Sequence, residues 1–215
     1  MLRKTLITSA FVLAASAAGA QDGLIAAIGS DRGAPEGGTV IDASVRSIEQ
    51  GDLIDAETAP MMVDSGLWLS PQLLVYRAFP PDLGAVRLEQ QRMVAAGRDT
   101  MFPLAREYGN KTVFGTDVVV NPGTCVAQNK EFASLLGWFT PAGILAQATA
   151  NTGEVLHLSG DRSPYPGVVG QIFEGEHADL LLIDGNPLED ITILEDHDAA
   201  RALIIEGCII YNNGL

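Results

Sequence analysis

The sequence predicts an α/β fold for its central part, bracketed by β-rich segments at both ends. Two observations carry this prediction. From residue 44 to about residue 158, short apolar runs that fit strands alternate with segments of helical periodicity, a pattern typical of parallel α/β units. Residues 21–43 and 161–215 instead contain short β-rich runs separated by turns rich in glycine and proline.

Strands and helices are expected in alternation in the central part. The strand candidates lie at residues 45–48, 67–69 and 112–114. Asp55 can cap a first helix, and residues 83–108 have the apolar spacing of a long second helix. Thr140 and Pro141 fit the N-cap and the first position of a third helix, because proline lacks the N–H that this position leaves unpaired.

The β-rich ends contain further short strand candidates. They lie at residues 24–28, 39–41, 171–173, 179–183, 202–205 and 208–211. Glu206 and Gly207 separate the last two, which predicts a tight hairpin turn.

The first twenty residues fit a secretory signal peptide. Arg3 and Lys4 precede an uncharged run over residues 5–17, and small residues follow up to Ala20. The alternative, a membrane-anchoring helix, requires roughly 20 apolar residues, and this run is shorter. We therefore expect cleavage after Ala20 and a periplasmic or secreted product without a membrane span.

The charge balance argues against a nucleic-acid partner. The chain has 13 Lys and Arg against 27 Asp and Glu, a formal net charge of -14. Binding to a polyanion needs a basic patch, and the basic residues here are few and scattered. The acidity is typical of a well-solvated surface.

The cysteines and histidines form no metal-binding motif. Cys125 and Cys208 could form a disulfide in an oxidising compartment, but their spacing matches no disulfide framework and no C-x-x-C metal site. Cys208 lies in an apolar run and fits a small buried residue. The three histidines, at positions 157, 177 and 197, are too far apart for one strand or helix to present two of them to a metal.

Several motifs resemble the amidohydrolase superfamily of metal-dependent hydrolases, of the imidazolonepropionase and prolidase-like type. The run G-Q-I-F-E-G-E-H-A-D-L-L-L-I-D-G-N-P-L-E-D-I at residues 170–191 is similar to the closing segment of these enzymes. D-G-L-I-A-A-I-G and T-V-I-D-A, within residues 22–43, resemble their first strands. V-R-S-I-E-Q-G at 45–51, G-L-W-L-S-P-Q at 66–72 and K-T-V-F-G-T-D at 111–117 resemble barrel strands six, seven and eight.

The resemblance implies a partial TIM barrel, its last three βα units, flanked by a small β-sandwich built from both chain ends. The implied divisions are a signal peptide (1–20), the first part of the sandwich (21–43), the partial barrel (44–160) and the second part of the sandwich (161–215). Residue 43 is followed at once by sequence like strand six. We therefore expect barrel strands one to five to be missing, together with the H-x-H pair and the other metal ligands that they carry in the family.

Asp117 is the candidate catalytic and metal-binding residue. It ends an apolar strand after Gly115 and Thr116, so it should project from the C-terminal end of a parallel strand, where active sites of TIM barrels lie. In the family, the matching aspartate binds the metal, with zinc expected, and accepts a proton from the attacking water. The alternative is a carboxylate that only caps the following loop.

Gln50 stands where the family usually has a metal-binding histidine. A neutral amide oxygen is a poor zinc ligand, so this residue should weaken a transition-metal site, unless it binds substrate instead. Gln72 and Glu131 could reach a substrate, but each fits an ordinary loop or helix-start residue. His177 and His197 fit surface positions, and His157 fits a helix end or a surface contact.

Two functions of different class remain open. The first is metal-dependent hydrolysis of carbon–nitrogen bonds in small amides or dipeptides, with the missing ligands supplied by another chain. The second is a truncated, non-catalytic remnant that does not retain the metal by itself. In both cases the uncovered strand edges of a partial barrel predict low stability, aggregation or self-association.

Overall fold

The structure is a computed structural model that describes residues 19–21, 24–27, 45–76, 84–118, 122–165, 167–196 and 200–214. Most of the expected signal peptide, the strand candidate at 39–41 and His197 lie outside these ranges.

The described residues form strands at both ends and in the middle of the chain. They are β1 Gly19–Gln21, β2 Leu24–Ala27, β3 Ser47–Glu49, β4 Trp68–Ser70, β5 Lys111–Thr112, β6 Leu180–Ile183, β7 Ala200–Ile205 and β8 Cys208–Asn212. The α-helices are α1 Thr58–Asp64, α2 Ala85–Tyr108, α3 Lys130–Ser134, α4 Pro141–Ala146 and α5 Thr152–His157. A π-helical segment, Gln147–Asn151, joins α4 to α5. Short 3-10 turns lie at Leu74–Tyr76, Pro122–Ala127, Leu135–Gly137, Gly160–Arg162 and Ile191–Glu195.

The central strands form a three-stranded parallel sheet in the order β3-β4-β5. Ile48 lies opposite Leu69, and Leu69 lies opposite Thr112, so the C-terminal ends of all three strands reach one edge of the sheet. The helices α1 and α2 connect successive strands, as parallel pairing requires. The mixed α/β arrangement expected from the sequence is thus confirmed for this part of the chain.

The helix ends follow the sequence chemistry closely. The Asp55 carboxylate accepts hydrogen bonds from the backbone N–H of Glu57 and Thr58 at the start of α1. These bonds lower the pKa of Asp55, because they favour the charged form. Thr140 Oγ1 accepts from the N–H of Gly143, with Pro141 in the first turn of α4, as predicted.

One hydrophobic core joins the parallel sheet to the helices. It contains Met62, Leu67, Leu69, Leu73, Met101, Phe102, Ala105, Leu135, Ile144 and Ile191. Phe102 stacks on Trp138, with ring centroids 4.5 Å apart, and meets Phe139 edge-on at 5.5 Å. Ile191 comes from the C-terminal part of the sequence, so this segment packs against the α/β core.

A second, antiparallel sheet has the order β6-β7-β8. Glu206 and Gly207, with φ of 50° and 75°, make the tight turn between β7 and β8, as predicted. Every residue of β8 is exposed, so the expectation that Cys208 is buried is wrong. Cys125 is likewise exposed, and neither cysteine is in a disulfide.

The strand candidate at residues 171–173 is also wrong. Ile172 and Phe173 are 85% and 65% exposed, and the segment pairs with none of the described strands. An apolar run becomes a strand only where a neighbouring edge can take its backbone hydrogen bonds.

Among the described residues, no helix combines the length and the apolar character needed to cross a membrane.

Candidate functional site at the strand ends

Polar side chains gather where the three parallel strands end. Glu49 is the last residue of β3, and Gln50 follows it. Ser70 is the last residue of β4, and Gln72 lies two residues later. Asp117 was expected to end its strand, but it lies in the loop five residues after β5. In parallel α/β folds this edge is where substrates and cofactors bind.

Asp117 lies half-buried at this edge and is held by Gln50. The side-chain Nε2 of Gln50 donates a hydrogen bond of 2.8 Å to Oδ2 of Asp117. Both residues have left-handed backbone, with φ of 66° at Gln50 and 49° at Asp117. Left-handed backbone costs non-glycine residues energy and persists only where the surroundings hold it.

Tyr76 completes this hydrogen-bond chain, a role that the sequence analysis missed. Its hydroxyl donates a hydrogen bond of 2.5 Å to Oε1 of Gln50. The ring is 6% exposed, and burial raises the pKa of the phenol, which therefore stays protonated. The only hint in the sequence is its place shortly after a strand end.

A largely buried ion pair contacts the ring of Tyr76 through Arg98. Asp52 Oδ1 lies 3.7 Å from Nε of Arg98, and the Arg98 guanidinium lies 5.2 Å from the centre of the Tyr76 ring. Arg98 Nη1 also donates to the carbonyl of Leu73. Burial raises the pKa of Asp52 to about 6, although the positive charge of Arg98 opposes the rise.

Gln72 is a buried part of the same edge and not an ordinary loop residue. Its Nε2 donates to Oγ of Ser70 at 3.0 Å and contacts Oε2 of Glu49 at 3.4 Å. A Cβ placed on Gly115 would lie only 2.9 Å from Gln72 Nε2, so the small residue before Asp117 makes room for this amide.

Glu131 begins a helix as expected, but its carboxylate is fully buried. Its Oε1 and Oε2 accept hydrogen bonds from the backbone N–H groups of Leu73 and Leu74, at 2.8 and 2.9 Å. These two N–H groups begin the turn that carries Tyr76. Glu131 therefore fixes the loop after β4.

The described histidines lie away from the strand ends. His157 ends α5 and is exposed, as expected. His177, expected at the surface, is half-buried, and its ring meets Tyr165 edge-on with centroids 6.0 Å apart.

The residues present at the strand ends do not fit a catalytic zinc site. Zinc needs several nitrogen, sulfur or carboxylate ligands with their lone pairs directed at the ion. Here the group that faces the Asp117 carboxylate is the NH₂ donor of Gln50, whose oxygen is occupied by the Tyr76 hydroxyl. In the described ranges, no three His, Cys, Asp or Glu residues are grouped so that they could hold a metal.

Known proteins are similar to this chain in both sequence and fold. Ochratoxinase from Aspergillus niger is 28% identical over 164 residues, which cover 74% of this chain and 32% of the relative. A solved amidohydrolase structure is 28% identical, with a TM-score of 0.68, over 81% of this chain and 42% of its own. The resemblance to the amidohydrolase superfamily is confirmed.

A further structural neighbour is a Xaa-Pro dipeptidase with bound methionine in its active site. It is 27% identical, with a TM-score of 0.67, over 82% of this chain and 42% of that one. No protein-family model matches the chain. The chain spans about a third of the length of its curated relative and about two-fifths of these two structures.

Proposed function

We propose that this protein is an amidohydrolase-type hydrolase for carbon–nitrogen bonds in small amides or peptides, with Asp117 as its catalytic carboxylate. The observation that carries the proposal is the position of Asp117 in the loop that follows β5, the third parallel strand, where its side chain meets that of Gln50. There it is half-buried and oriented by Gln50, so it could accept a proton from a water that attacks a carbonyl carbon. The names of the amidohydrolase and Xaa-Pro dipeptidase structures support an amide or peptide substrate.

This function depends on groups that the described residues do not supply. The family resemblance implies a divalent metal, with zinc expected, and further ligands would have to come from another chain. The same proposal treats the parallel sheet as the last three units of a TIM barrel and residues 21–43 and 161–215 as a β-sandwich. Barrel strands one to five would be missing between residues 43 and 44.

A second candidate is a truncated protein of this family without catalysis. The hydrogen bond from Gln50 to Asp117 favours it, because the carboxylate is already satisfied by an amide donor. A cation bound at Oδ2 of Asp117 would have to displace or turn that amide, and Tyr76 holds the amide in place.

Metal analysis of the purified, soluble protein separates the two candidates. The protein is dialysed against metal-free buffer, its zinc content is measured, and Xaa-Pro dipeptides are then tested as substrates with added zinc. About one zinc per chain, with hydrolysis that Asp117→Asn abolishes, would establish the enzyme. Neither metal nor hydrolysis would establish the non-catalytic alternative. Asp99→Asn, at an exposed position of α2, is the matched control.

We also propose that the protein is exported and cleaved after Ala20. Cleavage there would cut within β1, which pairs Ala20 with Ile25 of β2. N-terminal sequencing of the exported protein tests the site, and a chain that begins at Met1 would contradict it.

Self-association through uncovered strand edges is proposed as well, and sedimentation of the purified protein measures it.

A further inference from the structure

We propose that Tyr76, Gln50 and Asp117 form a metal-free clamp that joins the C-terminal ends of the two outer strands, β3 and β5. These strands do not pair with each other, because β4 lies between them. The bond from Gln50 to Asp117 joins residues 67 apart in sequence and connects the loops after these outer strands. The proposal concerns the folded, metal-free chain and accords with the second, non-catalytic candidate, because zinc bound at Asp117 would compete with the bond from Gln50.

The backbone conformations of Gln50 and Asp117 support a structural role for the bond between them. Among described residues other than glycine, positive φ occurs at Gln50, Asp117 and Glu206, and Glu206 belongs to the tight turn before β8. The other two are the partners of one hydrogen bond. Two unfavourable backbone conformations held by a shared side-chain contact indicate that this contact is built into the sheet edge.

The chemistry of the Gln50 amide determines which of its two ends faces Asp117. A carboxylate can only accept, so the side chain of Gln50 must turn its NH₂ toward Asp117. That orientation leaves Oε1 free to accept from the Tyr76 hydroxyl, which it does. Both ends of the amide are therefore used, and the charged acceptor makes the bond to Asp117 stronger than a neutral one.

Neighbouring groups hold the third member of the clamp. The guanidinium of Arg98 lies over the Tyr76 ring, and Glu131 binds the backbone at the start of the turn that ends with Tyr76. The clamp is therefore anchored through β4 as well as at both outer strands. It gives Oδ2 of the carboxylate a hydrogen-bond donor and orients it without a cation.

A double-mutant cycle tests whether the pair is coupled. The unfolding equilibrium constants of wild type, Gln50→Ala, Asp117→Ala and the double variant are measured by urea denaturation. Each single change should raise the constant about tenfold, and the double change should also raise it about tenfold, because both remove the same bond. Gln90→Ala, at an exposed position of α2, is the control and should change little.

Milder variants serve if the alanine variants do not fold. Asp117→Asn keeps an acceptor oxygen and should cost less than Asp117→Ala. Asp117→Leu keeps the volume but has no acceptor, so it should cost as much as Asp117→Ala, whereas a simple space-filling role would make it mild. Tyr76→Phe removes one hydroxyl and should raise the unfolding constant several-fold. An effect of Asp117→Asn equal to that of Asp117→Ala, or no effect of Tyr76→Phe, would overturn the clamp.

Zinc provides the independent readout. The melting temperature of the wild-type protein should be the same in excess EDTA and in added zinc, because the clamp needs no ion. A rise in melting temperature with zinc that Asp117→Asn abolishes would show a metal site in place of the clamp. In the double-mutant cycle, a roughly hundredfold rise of the unfolding constant in the double variant would show that Gln50 and Asp117 are not coupled. No substrate is needed, so failure of the clamp is distinguishable from failure of the proposed hydrolysis.

Discussion

Replacing Glu131 by glutamine should destabilise the protein, because a buried carboxylate serves two backbone donors at once. Oε1 accepts from the N–H of Leu73 at 2.8 Å and Oε2 from the N–H of Leu74 at 2.9 Å, in a side chain with no exposed surface. The glutamine side chain offers one oxygen in that place. Its NH₂ group would face the second backbone N–H, donor against donor.

The magnitude follows from the loss of one charge-assisted bond and the orphaned donor that it leaves. A hydrogen bond to a charged group contributes about 1.5–3 kcal/mol, and an unpaired buried donor costs about 1–3 kcal/mol. Burying a neutral amide costs less than burying a charge, which offsets part of this loss. We expect Glu131→Gln to lower the free energy of unfolding by about 2–4 kcal/mol.

Urea denaturation followed by tryptophan fluorescence measures this change. Trp68 is 3% exposed on β4, and Trp138 stacks on Phe102 in the core, so both report on unfolding of this region. Glu89→Gln is the control, because its ion pair with Arg92 is exposed and should contribute less than about 1 kcal/mol. If Glu131→Gln matched this control, the carboxylate would not be holding the loop after β4.

Three other changes test the packing and electrostatics around the site. The folded-state pKa of Asp52 is raised from 3.8 to about 6, so its contribution to stability is complete below pH 3.8 and is lost as the pH rises through 6. At about 1.4 kcal/mol per pKa unit, this loss is about 3 kcal/mol. Urea denaturation from pH 4 to 7 should therefore show a free energy of unfolding that falls less with pH for Asp52→Asn than for wild type. Gly97→Ala places a Cβ 2.2 Å from the carbonyl oxygen of Asp52, and we expect thermal unfolding to show a loss of about 1–3 kcal/mol. Phe102→Ala should cost about 3–5 kcal/mol in urea denaturation, and a loss below 1 kcal/mol would mean that its stacking on Trp138 does not hold the core together.

Local sequence patterns located most elements of the fold. The strand candidates at 45–48, 67–69 and 112–114 lie within two residues of β3, β4 and β5. Thr140 caps its helix as its side chain and the following proline predict. These features depend on residues close together in sequence, where backbone conformation and capping chemistry are decided.

The errors arose where distant parts of the chain decide the outcome. Residues 171–173 have the composition of a strand but no described strand to pair with. Cys208 lies in an apolar run, yet its strand is exposed along its whole length. Composition states what a residue tolerates, whereas burial depends on which surface packs against it.

For the candidate site, the sequence by itself determined that Asp117 follows an apolar run, and the resemblance to the family predicted that Gln50 stands where the family has a histidine. Only the tertiary structure decided that these two side chains meet, that Tyr76 joins them, and that Arg98, paired with Asp52, lies over the ring. Gln50 is 67 residues from Asp117 and 26 residues from Tyr76 in the sequence. No local periodicity encodes such contacts, because they exist only once the parallel strands bring their ends to one edge of the sheet.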